Sequence, residues 1–170
     1  MRKMSIVFTK SKKRFPIGSW IIRAWTLKRY SHVALKFETK IFNSNTFYQA
    51  SEGMVNYMSE TQFLKKHDIV ESFDLYLDDE LYSKIRTACH EEAGAPYGVL
   101  QNLGIAWCDI LALVGITATN PFKKGRNCSE LLYDQVLTRL GVSGYKKDLI
   151  KPHHLEKIIR EELSSEYLSF

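Results

Sequence analysis

GRNCSELLYDQVL, residues 125–137, is the stretch on which the reading of this chain turns, because a loop becomes a helix inside it. Ser129 to Leu140 reads as helical and stops at Gly141, so Cys128 stands where the helix begins. A thiolate at that point gains from the unpaired amides and the positive end of the helix, which lower its pKa and make it nucleophilic. A cysteine alone is more often a buried apolar filler. A base must therefore be found for it.

His32 is the best candidate. It opens the strand-like run HVALKF, residues 32–37, and a strand end holds an imidazole more rigidly than a loop does. His67, His90, His153 and His154 lie in charged or helix-start surroundings and read as surface residues. A second strand candidate, Thr46 to Ala50 (TFYQA), carries Gln49, which can hydrogen-bond the far imidazole nitrogen and fix its tautomer.

Around these runs the remaining elements are short. Ser5 to Thr9 and Ile69 to Leu75 read as strands, and Gly18 to Leu27 as a helix. Ser59 to Lys66 opens with Ser and has Gln three residues later, a capping-box pattern. Asp78 to Ala93 is a helix capped by Asp78, with Leu81, Ile85, Ala88 and Cys89 as its inward stripe. GAPYG, residues 94–98, is a turn, and Pro152 starts a last helix through Leu163. Helices and a mainly antiparallel sheet in mixed order predict one α+β domain over residues 1–170.

Composition bounds the function without deciding it. The 170 residues are 45% hydrophobic and 25% charged, which argues against disorder. The net charge of +5 is uneven: no acidic residue precedes Glu38, whereas Arg2, Lys3, Lys10, Lys12, Lys13 and Arg14 already do. Such a basic face suits an anionic surface or a solvated exterior; no specific nucleic acid is predicted. The most apolar segment, residues 103–116 (LGIAWCDILALVGI), is too short to span a bilayer and reads as a buried helix or a docking surface. Three cysteines without a pairing pattern suit a reducing compartment, and the start MRKMSIVF is no secretory signal. The expectation is a cytoplasmic protein, or one carried in a virion or exported by another route. Cys89–His90, Cys108, Cys128 and His153–His154 lack the spacing of a zinc site, so neither metal nor cofactor is expected.

Taken in order, YSHVALKF, FYQASEGMVNY, GAPYG, NCSELLYDQVL and LIKPHHLEKII resemble the circularly permuted NlpC-type papain-like amidases, the YiiX/YaeF-like group, over most of residues 5–160. In that family the histidine strand precedes the cysteine helix. NCSELL is similar to its Cys-Ser-Glu motif and SHVAL to its histidine strand. YQAS falls where it places a third polar residue, often Glu, so Gln49 departs from the commonest choice.

The resemblance implies a papain-like, permuted fold with Cys128 as nucleophile, His32 as base, Gln49 as orienter and Tyr97 as an oxyanion donor. It implies acyl transfer through a thioester, cleaving an amide in a peptide or cell-wall peptide. A related lecithin:retinol-acyltransferase-like chemistry would put a lipid acyl group in the same site, which the apolar 103–116 segment suits. A non-enzymatic polyanion-binding module is the remaining alternative, with steep salt dependence and indifference to Cys128→Ala.

Overall fold

The computed structural model describes residues 1–12, 28–38, 45–51, 53–98, 104, 107–109, 111–119, 127–163 and 167–169. The predicted helix at Gly18–Leu27 lies outside them. β1 (Arg2–Ser11), β2 (His32–Phe37), β3 (Thr46–Ser51) and β4 (Met54–Ser59) come first. α1 (Glu60–Lys66), β5 (His67–Leu77) and α2 (Asp79–Glu91) follow. Then come α3 (Cys128–Gln135), 3-10 turns at Leu137–Leu140 and Lys147–Leu149, α4 (Pro152–Glu162) and β6 (Leu168–Ser169). The strands form one sheet in the order β4-β3-β2-β1-β5-β6, and every described pairing is antiparallel. The α+β expectation holds. No described helix is long and apolar enough to cross a membrane.

β1 sits at the centre because it is apolar on both sides. Met4, Ile6 and Phe8 face one layer and Val7 the other, and all four are buried. Period-two alternation sends these residues to opposite faces, so a strand covered on both sides loses the usual polar half. The larger core gathers Val33, Leu35, Tyr48 and Leu75 beneath α2, α3 and α4. The smaller one joins Val7, Ala34, Phe47 and Met58 to Phe63 of α1, whose ring stacks on Phe47 with centroids 3.9 Å apart.

Several elements differ from expectation for identifiable reasons. β1 and β5 run past their apolar centres because they pair with each other over almost their whole length. β4 was not anticipated: only Val55 and Met58 of its six residues are buried, a spacing of three that hides the strand's period. Its outer edge is closed by the chain after α2, where the Val55 amide donates to the Ala95 carbonyl at 2.8 Å. Covering an edge in this way satisfies groups that would otherwise invite another strand.

The helix expected from Ser129 to Leu140 is α3 followed by a tighter turn. Thr138 Oγ1 and Arg139 Nη1 both donate to the Asp134 carbonyl, at 2.6 and 2.7 Å, competing with the backbone ladder. Gly141 then ends the run at φ +89°, a conformation that glycine adopts without a Cβ penalty. Two caps match expectation: Asp78 accepts from the Leu81 amide at 2.7 Å and Ser59 from the Gln62 amide.

Candidate active site

α3 positions the thiol. Asn127 is its N-cap, with extended backbone angles, and its Oδ1 accepts from the Glu130 amide at 2.7 Å. Cys128 is therefore the first helical residue, and it is only 5% exposed. Leu131, Leu132 and Val136 anchor the helix in the larger core, and it crosses β2 and β3. That crossing brings its first turn to the beginning of β2.

β2 positions the imidazole. His32 is its first residue, opposite Thr9 of β1, and a register irregularity between Phe8 and Thr9 in the β1–β5 pair lies beside it. Bulges of this kind bend a strand and re-aim its side chains. Alternation places His32 with Ala34 on the face of the smaller core, where Gln49 of β3 also points. At the open end of β2 the ring meets both Gln49, on its own face, and the thiol that descends from the helix layer.

The hydrogen bonds define a tautomer. His32 Nε2–H donates to Gln49 Oε1 at 2.8 Å, leaving Nδ1 as the nitrogen available to the Cys128 thiol, with which the ring is hydrogen-bonded. Gln49 is fully buried and continues the chain outward. Its Nε2 donates to Asn56 Oδ1 of β4 at 3.5 Å, which is consistent with its oxygen facing the histidine. Asn56 in turn donates to the Ser51 carbonyl at 3.4 Å.

The electrostatics favour charge separation. Burial by itself would raise the Cys128 thiol, yet the imidazolium charge and hydrogen bond of His32, the Val33 amide and the Ser129 hydroxyl bring it below its ordinary value. Burial would likewise lower His32, but the thiolate charge and the hydrogen bonds with Cys128 and Gln49 carry it above its ordinary value. The directions are those of a thiolate–imidazolium pair. By contrast, burial pushes the Cys89 thiol of α2 up to about 12, as expected for a packing residue.

Three of the four residues singled out in the sequence are thus brought together: Cys128, His32 and Gln49. Tyr97 is half-buried and packs against the larger core, to which Cys128 also belongs, with its amide donating to the Gly53 carbonyl at 3.0 Å.

His67 is the converse case. Read as a surface residue, it is half-buried and stacks on His32, with ring centroids 5.2 Å apart and planes 28° from parallel, and on Phe63 at 4.8 Å. Its charged flanks concealed this, because the contact depends on the turn between α1 and β5. Asn56 was missed for a similar reason, lying on the strand whose period is hidden. Comparison with family models, curated proteins and solved structures finds no match for this chain.

Proposed function

We propose that this protein is a cysteine hydrolase that cleaves an amide bond, in a peptide or cell-wall peptide, through a thioester on Cys128. The observation that carries the reading is the Cys128–His32–Gln49 array: a helix-start thiol lowered in pKa, an imidazole raised, and a 2.8 Å bond fixing the imidazole's far nitrogen. The thiolate attacks the carbonyl carbon, and the His32 imidazolium protonates the departing amine. His32 then takes a proton from the water that releases the acyl group. The same reading extends to the fold. A histidine strand before a cysteine helix is the permuted papain-like, NlpC-type order, and the antiparallel sheet with its helices is compatible with it.

The test is labelling of Cys128 by a small thiol-directed acylating probe, followed by mass spectrometry of the adduct left by a mixed peptide and lipid extract. Loss of labelling in His32→Ala supports the reading. Equal labelling of Cys89, or indifference to His32→Ala, defeats it.

A second reading, acyl transfer from a lipid, is favoured by one observation. Leu113 and Val114 are 81% and 70% exposed, and Trp107 and Ile116 are also open, so the apolar segment presents part of itself to the outside. A fatty acyl adduct on Cys128 would select it. The polyanion-binding alternative gains less. Arg2, Lys3, Lys10, Lys12, Lys28 and Lys36 each pair with a carboxylate, which weakens the field that the sequence run implies. Lys13, Arg14 and Arg23 lie outside the described residues.

A further inference from the structure

Asn127 is 1% exposed, and the two ends of its carboxamide are used unequally. Oδ1 caps α3, accepting from the Glu130 amide at 2.7 Å. Nδ2 is buried and has no hydrogen-bond partner among the described residues. Burying an amide donor without an acceptor costs about 1–3 kcal/mol, so such a group calls for an explanation. Its position supplies one. The bond from Oδ1 holds the carboxamide over the first turn of α3, at the mouth of the helix and one residue before the nucleophile. The amides of Cys128 and Ser129 have no acceptor within the helix either, since a helix leaves its first amides unpaired.

We propose that Asn127 is a catalytic residue whose Nδ2–H donates to the oxyanion formed when Cys128 attacks an acyl carbonyl. This assignment rests on the hydrolase reading and adds a side-chain donor to the one that the family resemblance expects of Tyr97. In the step, the thiolate electron pair forms the S–C bond and the carbonyl π pair moves to oxygen. That oxygen receives hydrogen bonds from Asn127 Nδ2 and the Cys128 amide. Collapse restores the carbonyl and expels the amine, which takes its proton from the His32 imidazolium. Cys128 is left as a thioester for water to hydrolyse. A single preorganised donor of this kind accounts for about 10²–10³ in rate. The cap bond orients it in advance, so the donor does not reorganise during the reaction.

The test separates acylation, which forms an oxyanion, from alkylation, which does not. Asn127→Asp keeps a cap oxygen and loses the donor, and Asn127→Ser keeps a cap oxygen without adding charge. Each is followed with p-nitrophenyl acetate and with iodoacetamide across pH, in the full chain. The expected result is acylation of Cys128 slowed about 10²–10³-fold in both variants, with the iodoacetamide plateau rate within about threefold of the parent's. Unchanged acylation overturns the proposal, and so does an equal fall in both reactions, which would mark Asn127 as a cap alone. If the parent protein's Cys128 does not acylate, or His32→Ala acylates as fast, the hydrolase reading itself falls, and this role with it.

Discussion

His32 Nε2 and Gln49 Oε1 lie 2.8 Å apart, joining the first residue of β2 to a residue of β3 that is fully buried. The bond leaves the imidazole one way to present its other nitrogen. Replacing Gln49 by Ala removes the constraint and leaves a polar edge of the ring without its partner. Acylation of Cys128 should fall by about 10–100-fold, less than the roughly 10²–10⁴-fold that a general base itself contributes. Gln49→Glu should retain a larger share, since a carboxylate also accepts from Nε2–H and favours the imidazolium. Single-turnover acylation kinetics of the two variants decide between these outcomes.

The opposite shifts of Cys128 and His32 predict a pH profile. A lowered thiol ionises at a pH below that of an ordinary cysteine, and a raised imidazole keeps its proton above its usual range. Alkylation of Cys128 should therefore persist on the acid side, where a solvated thiol has stopped reacting. In His32→Ala the imidazolium is gone while the burial remains, so the apparent thiol pKa should rise to at least its ordinary value. Iodoacetamide rates measured against pH, with site-resolved mass spectrometry, check both statements.

Glu156 ties α4 to the segment before β2, and its loss should be felt in stability. Its carboxylate accepts from Lys28 Nζ at 2.8 Å and Arg160 Nε at 3.0 Å, and also from the Tyr30 hydroxyl. Burial pushes the carboxyl up, but these hydrogen bonds outweigh it and bring the pKa to about 2. A depressed carboxylate stabilises the fold above its unfolded pKa, and that contribution disappears as pH falls through the folded value. Glu156→Gln should cost about 2–3 kcal/mol at neutral pH, discounted from about 1.4 kcal/mol per pKa unit. The difference from the parent should shrink between roughly pH 4.5 and pH 2, as urea midpoints would show.

Leu113 and Val114 stand at the turn that ends the apolar segment, where Gly115 adopts φ +78°. Their exposure means that Leu113→Glu should change folding stability by less than about 0.5 kcal/mol. If the acyl donor is a lipid, the same change should reduce flotation with lipid vesicles, because each inserted leucine contributes about tenfold in affinity. Flotation and a thermal melt on one preparation distinguish loss of docking from loss of fold.

Much of this arrangement was legible along the chain. Ser59 and Asp78 announce their helices, Pro152 opens the last one, and HVALKF is a strand from its first residue to its last. These features are local, governed by capping geometry and by alternation within a few residues. β4 escaped notice because an edge strand buries too little to show its period, and α3 was cut short by side-chain bonds to the Asp134 carbonyl. The role of His67 could not be read at all from its polar neighbours.

The sequence by itself determined the ingredients at Cys128: a thiol at a helix start, a histidine at a strand start and a glutamine on the strand after it. Capping and periodicity act over one turn or one strand, so those placements need no distant contact. Only the tertiary structure decided which groups meet. The β2–β3 register, which pairs Leu35 with Tyr48, sets Gln49 on the face of His32 within reach of its ring, and the crossing of α3 over the sheet lowers Cys128 to the same ring. The same packing laid His67 on the imidazole and left Asn127 with a buried donor one residue before Cys128. Those outcomes depend on distances across strands and layers, and no local pattern in a single chain encodes them.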